Sequence, residues 1–588
     1  MPSRMKALRH LNKYLFKYRY QLLLGVVITV IGRVFSLVAP RLIGNSLTAV
    51  EQFLRQGQTD SAALQKELLI NILIIIGTAL ASGIFTFWMR QTIINVSRYI
   101  EFDLKNEIFW HYQQLSQKFF KVNRTGDLMS RISEDVSKAR MYVGPALMYS
   151  INTIALFVIV ISYMLSIAPS LTLYTILPLP ILSVTIYKLS KIINVRSTAV
   201  QELLSKMSTV AQENFSGISV IKSYGLEHYA QKQFETQAEQ SYEKNMALVK
   251  VQAWFFPLMI LLIGISNLIV IFVGGLQYMN GTIAFGVLAE FIIYVNMLTW
   301  PVTVVGWVTS IVQQAEASQK RINAFLNETP DVPSGSFQTT SIKGKLRFDK
   351  VTFRYPETGI KALDTISFDL NPGQTLGILG KIGSGKSSLL ELIPRLYDPT
   401  EGSILLDGVD IKEYSLSCLR NAIAYVPQNP FLFSESIEKN IRFGKQQASL
   451  DEIKQAAFYA DVAQNIENFS KGYDTLLGER GVTLSGGQIQ RVSIARALIK
   501  DAQILLLDDC LSAVDTETEE TILKNLKKLA SQMTTLIVSH RISSVKNADV
   551  ILVLENGKII QQGNHTDLMG KQGYYKDLFE KQQTEKTI

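Results

Sequence analysis

A chain of 588 residues that is 47% hydrophobic and only 19% charged is neither disordered nor fibrous. Its charge is divided: 29 Lys+Arg against 18 Asp+Glu up to residue 330, a net of +11, then 30 against 32, a net of −2. A basic, apolar portion followed by a near-neutral one points to a membrane domain joined to a soluble domain, and away from nucleic acid, because the basic residues sit between apolar runs.

The first 19 residues hold Arg4, Lys6, Arg9, Lys13, Lys17 and Arg19 and no acid. Met5, Leu8, Leu11 and Leu15 recur among them at helical spacing, which predicts a short helix lying on the cytoplasmic membrane surface. No small-residue cleavage site ends the apolar run that follows, so a signal peptide is not expected.

A span needs about 20 mostly apolar residues. Residues 20–45 supply one despite Arg33 and Arg41. The 22 uncharged residues between Glu67 and Arg90 supply another, at about 68–90. The 47 between Arg140 and Lys188 allow two, about 143–166 and 169–188, turning at Ala168-Pro169-Ser170. The 65 residues between Lys250 and Glu316, interrupted only by Glu290, allow two more, about 254–279 and 283–312, turning at 278–282. The total is six. The loops at 90–140 and 188–250 carry nine and eight basic residues, and the other loops carry few. The positive-inside rule therefore places the N-terminus and both long loops in the cytoplasm. Both loops read as helical extensions, with polar tips at Arg124-Thr125-Gly126-Asp127 and Glu213-Asn214-Phe215-Ser216-Gly217. Two charges lie inside the apolar runs. Counting rise per residue puts Arg33 and Glu290 at similar depth, which allows either an ion pair between the first and sixth spans or a polar patch in a substrate cavity.

Residues 327–343 read as a linker, which makes 1–326 the membrane domain and 344–580 the soluble one. In the latter a buried strand, Leu376-Gly377-Ile378-Leu379, enters Gly380-Lys381-Ile382-Gly383-Ser384-Gly385-Lys386-Ser387, with Ser388 continuing into a helix. This is GxxxxGKS between a strand and a helix. Its glycines let successive N–H groups face phosphate oxygens, the helix start adds its positive end, Lys386 reaches the β and γ phosphates, and Ser387 can hold Mg²⁺. A second buried strand, Ile504 to Asp508, ends in the carboxylate such folds place beside the metal. Between them Leu484-Ser485-Gly486-Gly487-Gln488 opens another helix with an anion-binding end. The two cysteines, Cys418 and Cys510, give no disulfide framework and fit a reducing compartment.

With LSGGQ between GxxxxGKS and the Asp508 strand, the chain resembles the ATP-binding cassette exporters in half-transporter form over nearly its whole length. The resemblance implies a six-helix membrane domain with long cytoplasmic extensions, followed by an α/β cassette that uses ATP and Mg²⁺. It implies that Tyr355 stacks on adenine and that Gln428 senses Mg²⁺ and faces the membrane domain. Gly478-Glu479-Arg480-Gly481 would touch the coupling helices, which the loop tips become. Ser512-Ala513-Val514-Asp515 would cross the dimer seam, and His540 would meet the γ-phosphate. Ser485, Gly486, Gly487 and Gln488 would close on ATP held by another cassette, so that two chains make two sites. The expected setting is the cytoplasmic (inner) membrane, multi-pass, with the cassette inside.

One position departs from the family pattern. Exporters usually place Glu after the Mg²⁺-binding Asp, and here it is Asp509. Its shorter reach resembles the degenerate-site chain of heterodimeric multidrug exporters, although intact His540 and Gln428 leave a slow homodimer open. Export of hydrophobic or amphipathic compounds and lipid flipping remain alternatives. The spans, and the lack of long heptad repeats, exclude a chromosome-maintenance ATPase. No Cys precedes Cys418, so an N-terminal cysteine protease domain is excluded. An importer is disfavoured because importers usually keep spans and cassette on separate chains.

Overall fold

The computed structural model describes residues 6–56, 61–339, 341–478, 484–530 and 533–587. Arg4, Met5 and Glu479-Arg480-Gly481 lie outside the described residues. The chain divides into two compact units, Met1–Gln113 with Gly126–Glu328, and Gln114–Thr125 with Thr329–Ile588.

The first unit is helical. Among the described residues, five helical runs are long and apolar enough to cross a membrane: Arg19–Arg55, Ala62–Gln114, Thr125–Ile167, Glu227–Met279 and Phe285–Leu326. The stretch 169–188 differs. It is made of Pro169–Ile176 and the start of Pro178–Ser216, because Pro178 has no N–H to offer the Tyr174 carbonyl and its ring crowds that turn, although Leu177 between them keeps helical dihedrals. Residues such as Leu69, Ile72, Leu73, Ile76 and Leu80 are exposed along one helix, as lipid-facing side chains are. The helices continue well past any bilayer. Ala62–Gln114 has 53 residues and Pro178–Ser216 has 39.

Small residues set the closest crossing. A Cβ on Gly286 would lie 1.7 Å from the Gly44 carbonyl oxygen. Thr48 Oγ1 accepts the Gly286 N–H at 3.0 Å, covering one donor at the start of the last helix, whose preceding Ala284 offers no side-chain cap. A mixed core of Leu156, Val160, Met164, Val270, Phe291 and Leu298 fills the interior.

Three expectations change. The N-terminal segment is helical, as Ala7–Leu11 and Asn12–Lys17, but Leu8, Leu11 and Tyr14 are buried in the protein. Acids explain this. Glu316 accepts the Ala7 and Leu8 N–H groups at 3.1 and 3.2 Å, Lys13 bonds Glu107, and Lys17 bonds Asp103. Second, the loop tips reach beyond the residues named for them, although the turn at Gly217 falls within the second of those stretches. The first is the short helix Gln117–Val122, upstream of Arg124, and the second is Ile218–Tyr224, closed by Gly225 at φ 63°. Third, Arg33 does not pair with Glu290. Its Nε donates to Asn152 Oδ1 at 2.6 Å, whereas buried Glu290 accepts from Tyr294 at 2.9 Å and faces Tyr163 and Arg41. Residue counting put the two at one level, but Glu290 packs beside Gly44 and Tyr294 bonds the Leu37 carbonyl, so Arg33 lies further along its helix from Glu290.

The second unit holds two sheets among its described residues. One, in order β2-β1-β4-β5, is antiparallel: β1 Leu346–Arg354, β2 Lys361–Leu370, β4 Glu401–Leu406, β5 Val409–Asp410. The other has order β10-β9-β3-β8-β7-β6. Its members are β3 Thr375–Gly380, β6 Ile423–Val426, β7 Ile504–Asp508, β8 Thr534–Val538, β9 Val550–Glu555 and β10 Lys558–Gly563. It is parallel from β9 to β6, with β10 as an antiparallel edge. Strands β7 and β8 are buried throughout, as expected for parallel strands covered on both faces. Parallel strands direct their C-terminal ends to one rim, so the loops after β3, β6, β7 and β8 converge there.

Candidate nucleotide-binding site

The loop after β3 is shaped by its glycines. Gly380, Gly383 and Gly385 have φ of 151°, 80° and 98°. A Cβ on Gly385 would lie 2.3 Å from the Ala362 carbonyl oxygen, so the loop is close-packed from behind, while Gly383 is open. Lys386 begins the helix Lys386–Leu392 and curls its ammonium back onto the loop, donating to the Gly380 and Lys381 carbonyls at 2.8 and 2.9 Å. Burial pushes its pKa down, and Asp509 and Asp508 oppose that shift. Ser384 is buried, and its hydroxyl has no partner among the described residues. Such an orphan is costly in a folded protein unless water or a ligand satisfies it. Ile382 at the loop tip is 91% exposed.

Asp508 ends β7 directly beside this loop, and Ser387 Oγ donates to its Oδ1 at 3.0 Å. Burial, with Glu391 and Asp509 nearby, pushes its carboxyl up to about 6. A buried carboxylate with acidic neighbours favours a cation. Gln428, in the loop after β6, donates from Nε2 to Asp509 Oδ2 at 3.2 Å. Asp509 has φ 46°, a left-handed conformation in which Asp is better tolerated than most side chains. His540 follows β8 and is half-buried, and burial and the Lys386 charge both lower its pKa, so it is neutral near pH 7. The structure thus brings Lys386, Ser387, Asp508, Asp509, Gln428 and His540 to one rim.

Tyr355, just past β1, is held by Ser388 Oγ at 2.8 Å and Glu391 Oε2 at 3.1 Å and sits edge-on to Tyr397. Lys121, on the tip helix Gln117–Val122, places its ammonium 5.1 Å from the Tyr355 ring centre and 5.0 Å from that of Tyr397. Glu391 and Lys121 escaped the sequence reading, since neither stands in a motif.

The signature forms a second cluster. Ser485 is an N-cap and Gln488 completes a reciprocal capping box, so the helix Gly486–Leu498 starts with ordered N–H groups. A Cβ on Gly487 would lie 2.9 Å from the Ala513 carbonyl oxygen. Gln490 binds the Ala513 N–H at 3.1 Å and Ser512 Oγ at 3.4 Å, locking the signature helix to the 512–515 loop. Gln490 also went unnoticed in the sequence; only its place one turn inside the helix could have flagged it.

The family profile described as ABC transporter transmembrane region matches residues 22–302, and that described as ABC transporter matches 363–512. The multidrug resistance-like ATP-binding protein MdlA of Escherichia coli is 35% identical, over 99% of this chain and 98% of its own. The ATP-dependent lipid A-core flippase of Chromohalobacter salexigens is 35% identical over 87% and 88%. A solved bacterial Atm1-family ABC exporter with ATP bound superposes with TM-score 0.80 at 26% identity, covering 96% of this chain and 98% of its own. The chain belongs to the ABC transporter family. It is a multi-pass membrane subunit of exporter architecture, with an ATPase cassette that binds nucleotide and drives transport.

Proposed function

We propose that the chain is one half of a heterodimeric exporter of hydrophobic or amphipathic compounds, in the cytoplasmic membrane with six crossings and the cassette inside. The observation that carries the heterodimer is Asp509. Its carboxylate is one methylene shorter than the usual Glu and is tied to Gln428 at 3.2 Å, on the rim where a water would be activated. A base set back this far loses much of its effect.

The need for a second chain is supported by what one chain exposes. Ile382 stands out from the phosphate loop, and Phe215, Ile218, Val220 and Tyr224 are exposed around the second loop tip. Exposed apolar patches of this kind favour a partner surface. Lys386 and the orphan Ser384 hydroxyl would bind phosphate oxygens, Tyr355 the base, and Ser485, Gly486, Gly487 and Gln488 the nucleotide of the other chain. Ser387, Asp508 and Gln428 would hold Mg²⁺, which when bound offsets the charge on the transferring phosphate. His540, neutral, would donate to the γ-phosphate. The long-helix loops would carry cassette closure to the spans, giving alternating access.

Substrate class follows from the similarity to MdlA and from the interior charges. Arg33 is bonded to Asn152 and Glu290 to Tyr294, and among the described residues of the apolar runs the bases are Arg33 and Arg41, too few for a ring that holds phosphate head groups. The similarity to lipid A-core flippases keeps lipid as the second reading. Co-purification tests the assembly. The tagged chain, expressed with its neighbouring half-transporter, should retain it, and vesicles of the complex should take up a cationic amphipathic dye on ATP addition. A tagged chain that purifies as an active homodimer refutes the heterodimer. ATP-dependent movement of labelled lipid without dye transport favours the flippase.

A further inference from the structure

His540 has no hydrogen bond to its imidazole among those described, so the hydrogen bonds that fix its place are those of its backbone. That backbone is held from both sides. Upstream, the Ser539 N–H bonds Ile378 on β3 at 3.2 Å. Downstream, the short helix Ile542–Val545 begins at Arg541, which provides no side-chain cap. The cap comes instead from the last helix of the chain, Tyr574–Thr587. Gln582 Oε1 accepts the Ile542 N–H at 2.9 Å, and its Nε2 donates to the His540 carbonyl at 2.8 Å. One carboxamide thus makes two bonds across 40 and 42 residues of sequence, pairing with the histidine segment much as a strand neighbour would.

The helix that carries Gln582 is anchored on the same face. Tyr575 is fully buried and bonds His565 Nδ1 at 2.7 Å, and its N–H bonds Gln561 at 3.0 Å. Leu578 and Phe579 pack on the core. Positions 575, 578, 579 and 582 follow the i, i+3, i+4, i+7 stripe of one helix face, and its last member is the polar one. Across the segment, Arg541 Nη1 reaches Glu519 Oε2 at 2.6 Å. Glu519 is 1% exposed and lies on the helix Thr516–Ala530 that follows the seam loop.

We propose that Gln582 is a positioning residue for His540: the last helix fixes the histidine peptide through this carboxamide and so sets the γ-phosphate contact. This rests on reading His540 as that contact. Lys386 and Tyr355 lie outside the clamp, so its loss should weaken recognition of the third phosphate while leaving base and β-phosphate binding intact.

The test is the ATP-over-ADP preference of this chain within the purified full complex. It is read by competition of each nucleotide against 8-azido-ATP photolabelling, with the labelled chain identified by its tag. His540→Ala should lower the preference about tenfold, the scale of one hydrogen bond to a charged oxygen. Gln582→Met, which keeps the side-chain length without polar atoms, should lower it at least threefold, on the same scale for a hydrogen bond weakened but not removed. Gln582→Glu, which keeps the acceptor and loses the donor, should fall in the same direction and serves where the Met variant does not fold. In a His540→Ala background, Gln582→Met should add nothing. A wild-type preference in both Gln582 variants overturns the proposal, as does an equal drop in the His540→Ala background. A wild-type preference in His540→Ala itself overturns instead the reading of His540.

Discussion

Asp509→Glu offers the sharpest test of how the site works. The substitution adds one C–C bond, about 1.5 Å, to a carboxylate that now ends on Gln428 Nε2 at 3.2 Å. Two effects compete. The added reach restores a base to a position where a misplacement of about 1 Å costs on the order of 100-fold. Against it stands the backbone. At φ 46° Asp is favoured over longer side chains, and the penalty for a Glu is about 1 kcal/mol. A gain of about 10- to 100-fold corresponds to roughly 1.4–2.7 kcal/mol of barrier. The strain is borne by bound and transition states alike, so it lowers stability and leaves the gain in rate. The assay is steady-state ATPase of the reconstituted complex, with the partner's own catalytic carboxylate neutralised so that only this site turns over. A rise of about tenfold or more is expected. An unchanged or lower rate would refute the reasoning and place the limit in the signature that faces this site.

Three further outcomes follow from the geometry. Ser485→Arg should block nucleotide-dependent closure at the partner's site while 8-azido-ATP labelling of this chain's own site survives, and loss of labelling at both sites would contradict the assignment. Gly286→Ala drives a Cβ into the Gly44 backbone at 1.7 Å and should cost about 2–3 kcal/mol, seen as a lowered thermal midpoint in detergent. Gly83→Ala, with nothing within 4 Å, should be neutral or stabilising, and equal losses would sink the packing argument. Glu107, held at about 2 by His10, Lys13 and Tyr14, lends stability that is complete above its ordinary 4.5 and lost as pH falls toward 2. Pepsin should therefore clip the N-terminal helix only near the low end of that window, whereas Glu107→Gln should be clipped already at pH 4.5, and identical profiles would refute the link.

What was legible in the sequence is what is contiguous. Gly380 to Ser387 carries its own turn chemistry, its strand and its helix, so one stretch of chain specifies the shape of the glycine loop after β3. Asp508 was legible for the same reason, at the end of a run of buried residues. The N-terminal Leu8 and Leu11 gave the helix but not its surroundings, because the pattern of one face does not say whether lipid or protein covers it, and the deciding acids lie at 103, 107 and 316. Tertiary pairings such as Arg33 with Asn152, Tyr355 with Glu391 and Gln582 with His540 join residues whose spacing carries no local signal. The break before Pro178 was present in the letters and was outweighed by apolar content.

The helix Ala62–Gln114 runs 53 residues without a proline. At 1.5 Å per residue it is a rod about 80 Å long, and tilting it by about 5° swings its far end by about 7 Å. That displacement exceeds a helical turn. A change of a few degrees at one end is therefore amplified into a displacement of several ångströms at the other, with no bend needed within the rod. Length here acts as leverage, converting a small rotation into a large displacement at the far end.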